Sequence, residues 1–236
     1  MTHNDIIFTS HCFDNAASGG DYRAQQVRLE KTIRNIYPDA PLHFIYESEA
    51  IGKPKFQKSL YGFKVHLVKD CLEKGFKKII FFDTAICLND TVDYWFNLTK
   101  DFGILAPIDS SKLEGCTSNN CLKYLGLTRE DITGINLVGG SIYIFDFNTK
   151  VCNDIFNVWA DLEANGLFGQ QEDISNGRLE GHRMDETCMA IAMAKHGVKP
   201  LGHDIIRYAY EKPGEEKLHT MGDGNYKPIV IKRHFK

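Results

Sequence analysis

The segment KKIIFFDTAICLND, residues 77–90, constrains the fold more than any other part of the chain. Four large apolar residues, Ile79 to Phe82, are followed directly by Asp83 and then by small and turn-forming residues. An unbroken apolar run of this length is typical of a strand buried on both faces. In open α/β sheets, ligands bind outside the carboxyl ends of such strands. The pattern therefore places Asp83 where a metal ion or a nucleotide would bind, although Asp is also common as a plain turn residue after a strand.

Strand-like and helix-like segments alternate along the chain. Short apolar segments predict further strands over residues 5–9, 42–46 and 103–106, and late strands or extended segments over residues 199–210 and 228–232. Amphipathic segments predict helices, over residues 22–36, 58–73, 91–98, 148–164 and 183–196. Residues 137–145 predict a strand containing two glycines, and the polar stretches 108–120 and 166–182 predict long loops, the first of them a candidate lid. The alternation predicts one α/β domain over residues 1–236, with a mainly parallel sheet and helices on both faces.

Charge, hydropathy and cysteine content exclude several classes of protein. The formal net charge is −3 and the pI about 6.3, so we expect no nucleic-acid partner and no attraction to an anionic membrane. No apolar run approaches the roughly 18 residues of a transmembrane helix, and the N-terminal residues lack the pattern of a signal peptide. The seven cysteines include no CxxC pair, which predicts mostly buried thiols in a reducing, cytoplasmic compartment.

Two features beside the apolar run are candidates for ligand contact. Lys64 is either a solvated helix lysine or one whose stem packs on apolar surface while its charge reaches a cleft, where it would meet phosphate. Gly139 and Gly140 lie inside an apolar segment. Glycine adds nothing to strand packing, so the pair indicates close approach, either of a neighbouring element or of a sugar ring.

A charged cluster begins the helix predicted over residues 183–196. It contains His182, Arg183, Asp185 and Glu186. Capping and the helix dipole explain an acid in this first turn, but they do not explain all four residues. Carboxylates accept hydrogen bonds from hydroxyl groups well, so the cluster predicts a site for sugar hydroxyls.

The segment HTMGDGNYKP, residues 219–228, combines His219, two glycines and Lys227. A histidine beside a carboxylate can bind a borderline metal ion such as Mn²⁺, and a lysine can bind a diphosphate. The two glycines are equally typical of a surface turn.

Taken in order, four segments over residues 5–228 resemble those of nucleotide-sugar-dependent glycosyltransferases with the GT-A fold. FFDTA occupies the place of that family's Asp-any-Asp metal motif, and GGSIYIFD is similar to its Asn-Ala-Gly-apolar strand on the acceptor side. HRMDET is similar to the HR-any-DQ-Ser/Thr segment of small bacterial and viral glycosyltransferase-like proteins, and to the Asp-Gln segment of the glycogenin/galactosyltransferase group. HTMGDGNYKP resembles the late His-x-x-Gly-x-x-Lys-Pro motif of that group, with four residues in its second gap instead of two.

The resemblance implies transfer of a sugar from a UDP- or GDP-sugar to a hydroxyl of a glycan or small-molecule acceptor. Asp185 and Glu186 would hold the donor sugar, and Asp185 would act as general base if the product is inverted; a retaining reaction needs no such base. Asp83 and His219 would hold Mn²⁺ or Mg²⁺. The other donor-binding residues it implies are Lys64, Arg23, Lys227, Gly139, Gly140 and Arg183.

The chain departs from the family pattern at one position, since Ala85 stands where a second acid is expected. Either Asp83 acts with His219, water and the diphosphate, or dependence on metal is weak.

Two other functions fit parts of the pattern. A sugar nucleotidyltransferase has a similar sheet, but it usually has a glycine-rich basic loop directly after the first strand. Here that loop contains Gly19, Gly20 and Arg23 without a tight phosphate-binding pattern. A degenerate transferase fold that only binds a glycan or a protein is favoured by Ala85.

Overall fold

The computed structural model describes residues 5–12, 22–46, 61–88, 90–169 and 181–201, together with the backbone of 206–211 and 229–234. Two residues predicted to contact the donor or its metal, His219 and Lys227, lie outside the described residues, as does most of the loop predicted over 166–182.

The central sheet has five strands in the order β2-β1-β3-β7-β4. Their bounds are β1 Ile6–Cys12, β2 Leu42–Tyr46, β3 Lys78–Phe82, β4 Ile104–Leu105 and β7 Ile142–Asp146. Strand β1 pairs in parallel with β2 and β3, whereas β7 pairs antiparallel with both β3 and β4. Four of the five strands therefore point the same way, which confirms the predicted mainly parallel sheet.

Helices cover both faces of this sheet, as predicted. Helices α2 (Phe63–Glu73), α5 (Lys150–Ala164) and α6 (Met184–Lys195) share one apolar cluster with one face. Helices α1 (Tyr22–Ile36) and α3 (Asp93–Phe102) share a second cluster with the other face.

The apolar run of β3 follows directly from these two layers. Ile79 and Phe81 enter the cluster with α2, α5 and α6, whereas Ile80 and Phe82 enter the cluster with α1 and α3. Because successive side chains of a strand point to opposite faces, a strand covered on both sides needs apolar residues at every position. Each of these four side chains is at most 1% exposed, and burial of each contributes about 1.5–3 kcal/mol.

The prediction of a long loop or lid over residues 108–120 is wrong. The segment forms β5 (Ile108–Lys112), a 3-10 turn (Leu113–Gly115) and the start of α4 (Asn119–Leu125). One of its polar residues caps a helix. The Ser118 side chain accepts a hydrogen bond from the Cys121 N–H at 3.2 Å at the beginning of α4. Two of its apolar residues, Leu113 and Cys116, are fully buried.

The prediction of one strand over residues 137–145 is also wrong. The chain instead forms β6 (Asn136–Val138), which pairs antiparallel with β5, and then β7 in the central sheet. Gly139 and Gly140 lie between the two strands, where the backbone passes from one sheet to the other. The glycines therefore mark a break in the strand rather than its interior.

Most other boundaries differ from prediction by a few residues, whereas the late segment predicted from residue 199 forms a strand only from Ile206. Helix α3 continues to Phe102, beyond the predicted residue 98, and the late segments form β8 (Ile206–Glu211) and β9 (Ile229–His234), a parallel two-stranded sheet. All seven cysteines are buried free thiols, as expected for most of them. Among the described residues, no helix combines the length and the apolar character needed to cross a membrane.

Candidate active site

A cavity of about 290 Å³ lies at the carboxyl end of β3. Six residues that line it were predicted to bind donor or metal or to act in catalysis, namely Lys64, Asp83, Gly140, Arg183, Asp185 and Glu186. Three further residues that line it, Tyr61, Ser141 and Met184, were not predicted from the sequence. The cavity thus brings together segments that are far apart in the sequence.

The reversed direction of β7 explains how these segments meet. Because β7 runs antiparallel to β3, with Ile142 opposite Phe82, the beginning of β7 lies beside the end of β3. The Asp83 N–H donates to the Ser141 carbonyl at 2.9 Å and extends this pairing by one step. Asp83 and the glycine turn before β7 therefore share one edge of the sheet.

Lys64 lies in the first turn of α2 and is buried, so its interpretation as a solvated helix lysine is wrong. Only 2% of its side chain is exposed, and its Nζ donates to the Gly140 carbonyl and to Asp185 Oδ2, both at 2.7 Å. Asp83 Oδ1 is 3.9 Å away. Burial lowers the pKa of Lys64, but the carboxylates of Asp185 and Asp83 raise it by more, so the pKa lies above its ordinary value and the amine stays charged.

Aromatic rings enclose the same ammonium group. Lys64 Nζ lies 5.0 Å from the ring centroid of Tyr61, 5.2 Å from that of Phe81 and 5.5 Å from that of Tyr143. The negative faces of such rings attract a cation. Lys64 is therefore a fixed positive charge inside the protein wall of the cavity.

Asp185 is the carboxylate that this lysine pairs with, and its side chain is 3% exposed. Its Oδ2 also accepts a hydrogen bond from the Tyr143 hydroxyl at 3.0 Å, and its backbone carbonyl accepts one from Trp159 Nε1 at 3.1 Å. Burial raises the pKa of Asp185, and the Lys64 ammonium opposes this rise. Asp185 is consequently held on both its side chain and its backbone.

Glu186 and Arg183 form a second pair, closer to solvent. Arg183 donates from Nε and Nη2 to Glu186 Oε2 at 2.9 and 2.8 Å, and its side chain is 41% exposed. Glu186 Oε1 accepts from the Gly140 N–H at 2.9 Å. Burial and the nearby charge of Asp185 raise the pKa of Glu186, against the effect of Arg183. Both oxygens of Glu186 are thus engaged, and the carboxylate orients the guanidinium at the cavity.

The close approach predicted at the glycine pair is made at Gly140 by side chains of neighbouring helices. A Cβ atom at this position would lie 2.9 Å from Glu186 Cγ, 2.9 Å from Lys64 Nζ and 3.0 Å from Asp185 Oδ2. Real Cβ atoms essentially never come so near, so Gly140 leaves room for both charged pairs.

Backbone strain is concentrated at the cavity. Among the described residues, the non-glycine positions with positive φ are Tyr61 (61°) and Met184 (49°), and both line the cavity. Such conformations cost about 1–3 kcal/mol and are found preferentially at functional sites. Met184 is the first residue of α6, so its backbone conformation helps to set the directions of the Arg183 and Asp185 side chains.

The beginning of α6 is tied to two neighbouring segments. His182 Nδ1 accepts from the Ser118 N–H at 3.2 Å, and its Nε2–H donates to the Leu167 carbonyl at 2.7 Å. Thr187 Oγ1 donates to the Cys116 carbonyl at 2.7 Å. His182 therefore anchors the loop before the helix and does not face the cavity.

Two other residues predicted to bind the donor do not line the cavity. Arg23 is exposed on α1, with its guanidinium 5.2 Å from the ring centroid of Tyr46. Gly139 is buried and donates its N–H to the Pro107 carbonyl at 2.7 Å.

Asp83 is the predicted metal ligand that lies within the described residues. In the part of the chain that the structure describes, no group of three or more His, Cys, Asp or Glu side chains could hold a metal ion. Asp83 is 37% exposed in the cavity and offers carboxylate oxygens, the ligand type that Mg²⁺ prefers. Mg²⁺ is often held by one or two carboxylates together with phosphate oxygens and water. The residues therefore fit a cation that binds along with a diphosphate, rather than a cage of protein ligands alone.

No family model and no curated protein matches the chain. Several solved structures do match. A glycosyltransferase involved in glycosylation of the major capsid of PBCV-1 is similar with a TM-score of 0.52 and 10% identity, over 87% of this chain and 84% of that one. Galactosyltransferase LgtC, solved with donor and acceptor sugar analogs, has a TM-score of 0.45 and 13% identity, over 86% and 75% of the two chains. WbbM, a bifunctional glycosyltransferase, has a TM-score of 0.47 and 12% identity, over 86% and 40%.

The likeness to the PBCV-1 enzyme concerns the fold. The chain has a GT-A-like glycosyltransferase fold, as the sequence resemblance predicts.

Proposed function

We propose that the protein is a glycosyltransferase that moves a sugar from a nucleotide-diphosphate donor to a hydroxyl of a glycan or small-molecule acceptor. One observation carries the proposal: two basic and three acidic side chains converge on a single cavity at the carboxyl end of β3, the edge at which α/β sheets bind ligands.

Glycosyl transfer breaks the bond between the anomeric carbon and the diphosphate, so negative charge develops on the leaving group. Arg183 suits this charge because its guanidinium is partly exposed at the cavity and is held in place by Glu186. Lys64 adds a fixed positive charge from within the protein wall. We propose that Arg183 contacts the diphosphate directly, and that Lys64 acts mainly through its field and its hold on Asp185.

Positive charge develops on the sugar in the same step, and Asp185 is the group we assign to it. Its Oδ2 is occupied by Lys64 and Tyr143, whereas Oδ1 accepts no hydrogen bond from any residue in the described ranges. Oδ1 would accept a hydroxyl of the donor sugar or, in an inverting reaction, the proton of the acceptor hydroxyl. Glu186 would act by orienting Arg183.

Asp83 would bind Mn²⁺ or Mg²⁺ together with the diphosphate, and the cation would then neutralise part of the leaving group's charge. His219 and Lys227 remain proposed partners of the metal and the diphosphate. The nucleotide would be UDP or GDP, and we propose a cytoplasmic location because all seven cysteines are free thiols.

The direct test is thermal unfolding with UDP-glucose, UDP-galactose or GDP-mannose, each with and without Mn²⁺. Binding at a concentration one hundred times Kd stabilises the folded state by about 2.7 kcal/mol and raises Tm by roughly 5–11 °C for a chain of this size. We expect such a shift with at least one donor, and release of free nucleotide on incubation with an acceptor mixture. No shift with any nucleotide sugar would overturn the donor site.

The variant Asp83→Asn tests the proposed metal ligand. It should abolish the part of the donor-induced shift that depends on Mn²⁺, since an amide is a far weaker cation ligand than a carboxylate. Asp101→Asn, an exposed position on α3, is the matched control and should behave as the wild type. If both variants retain the full Mn²⁺-dependent shift, Asp83 is not a metal ligand.

The two alternative functions predict different experimental results. Release of pyrophosphate from a sugar 1-phosphate and a nucleoside triphosphate would identify a nucleotidyltransferase. Donor binding without turnover would identify a binding protein. The observation that favours this second alternative is Ala85, whose carbonyl accepts from Arg28 Nη2 at 3.2 Å where the family pattern has an acid.

A further inference from the structure

A phenylalanine would pack at position 143 as well as Tyr143 does. Packing therefore does not explain why this residue has a hydroxyl group. Tyr143 lies on β7, is fully buried, and has rings as neighbours, including Phe81 at 6.2 Å and Phe145 at 6.3 Å between centroids. A buried hydroxyl without a partner is costly, so its presence in such surroundings calls for a specific acceptor. That acceptor is Asp185 Oδ2, at 3.0 Å.

Tyr143 serves as a permanent donor. Burial, followed by the charge of Asp185, raises the pKa of Tyr143 well above its ordinary value, so the phenol stays protonated. Its hydrogen bond to Asp185 is charge-assisted and therefore about twice as strong as a neutral one.

Trp159 restrains the backbone of the same residue. Its Nε1–H donates to the Asp185 carbonyl at 3.1 Å from α5, and its ring meets that of Tyr143 edge-on, with centroids 5.4 Å apart. Both aromatic side chains are fully buried and packed, so neither can move without disturbing the core. Asp185 is consequently held by hydrogen bonds from Tyr143 and Trp159 in addition to its pairing with Lys64.

We propose that Tyr143 and Trp159 are positioning residues that hold Asp185 so that its Oδ1 is the oxygen presented to the bound sugar. The proposal rests on the proposed function of Asp185. It assigns a role in catalysis to two side chains of the apolar core that do not line the cavity. Holding a reacting group in one orientation matters because a misplacement of about 1 Å can reduce a rate about a hundredfold.

The first test compares Tyr143→Phe with the wild type in release of UDP or GDP from UDP-glucose, UDP-galactose and GDP-mannose. We expect kcat to fall about ten- to a hundredfold while KM for the donor changes less than twofold, since the cavity wall is intact but Oδ1 is no longer fixed. Trp159→Phe should change kcat in the same direction. Phe145→Leu is the matched control, because Phe145 lies on the same face of β7 and packs against Tyr143 and Trp159 but carries no hydrogen-bond donor.

A merely structural role would produce a different result. Tyr143→Phe and Phe145→Leu would then lower activity only as far as each lowers the folded fraction, and kcat per folded molecule would stay unchanged. That outcome would overturn the proposal. So would an equal loss for Tyr143→Phe in the Asp185→Asn background, where there is no carboxylate left to position.

A second measurement does not depend on activity. In urea unfolding, Tyr143→Phe should lower the midpoint less in the Asp185→Asn background than in the wild type, because a charge-assisted hydrogen bond has become a neutral one. Equal shifts in the two backgrounds would overturn the Tyr143–Asp185 coupling. If the wild type releases no nucleotide from any donor, the proposed function fails and the positioning role with it, while the unfolding cycle still reports whether Tyr143 holds Asp185.

Discussion

At the scale of single residues, Gly140 controls how tightly the charged groups of the cavity are packed. A Cβ at this position would come within 3.0 Å of Lys64, Asp185 and Glu186, whose side chains are already fixed by hydrogen bonds. We expect Gly140→Ala to destabilise the protein by about 1–3 kcal/mol, as overpacking does, and to reduce donor affinity by at least tenfold. Urea unfolding and the donor-induced shift in Tm measure the two effects.

Gly115→Ala is the matched control for this prediction. A Cβ at Gly115 meets no atom within 4 Å, and its φ is not positive, so this substitution should leave stability and donor binding close to wild type. If Gly140→Ala binds the donor as well as Gly115→Ala does, the charged pairs are not held at the positions that we assign to them.

The sequence predicts the charged residues of the cavity better than the uncharged residues in its wall and behind it. Asp83, Arg183 and Asp185 are conspicuous in the sequence because each lies at the end or the beginning of an apolar segment, where core packing does not explain a charged residue. Tyr143 does not stand out, since it occupies a buried strand position where any large ring would fit, and its partner is 42 residues away. The strain at Met184 is equally hidden, because its positive φ depends on how α6 is anchored after folding.

At the scale of elements, His182 fixes the beginning of α6 and makes that attachment sensitive to pH. Its Nδ1 must be unprotonated to accept from Ser118, and burial lowers the pKa of His182 below its ordinary value of about 6.5 despite the opposing bond to Leu167. The unfolded chain therefore binds more protons than the folded one as the pH falls below about 6.5. The contribution of His182 to the free energy of unfolding is fully present above that pH, and it decreases as the pH falls toward the folded-state pKa.

We therefore expect urea midpoints to fall between pH 7 and pH 5, and His182→Gln to remove part of that dependence while lowering stability at pH 7. The control is His196→Gln, at the other end of α6, which should keep the wild-type slope. An unchanged slope in His182→Gln would show that other groups cause the acid sensitivity.

Elements were predictable where hydrophobic periodicity is strong. Helix α1 and strand β2 have the predicted bounds, because amphipathic spacing and flanking prolines mark them in the sequence. The segment from 108 to 120 was not predictable, since β5 is a polar strand whose partner β6 is formed by residues 136–138. Its structure depends on pairing with residues 24 to 30 positions further along the chain, which local composition does not reveal.

At the scale of the whole molecule, the two apolar layers give a test of the predicted single domain. The chain contains two tryptophans; Trp95 lies in the layer with α1 and α3, and Trp159 in the layer with α2, α5 and α6. In one cooperative unit both layers unfold together. We expect Trp95→Phe and Trp159→Phe, each leaving one fluorescent reporter, to show fluorescence midpoints that coincide with the loss of circular dichroism of the same variant. A fluorescence transition separate from that of circular dichroism would contradict a single domain.

The buried pair of Lys64 and Asp185 has a consequence for the order in which the chain folds as it is synthesised. The two residues are 121 positions apart, so residue 64 leaves the ribosome long before its partner exists. Removing an ammonium group from water without its carboxylate partner costs several kcal/mol, which offsets the burial of two or three apolar side chains of α2 and so weakens its docking. We therefore expect α2 to remain undocked in the nascent chain, with Lys64 in water, and to close onto the sheet only after α6 has emerged.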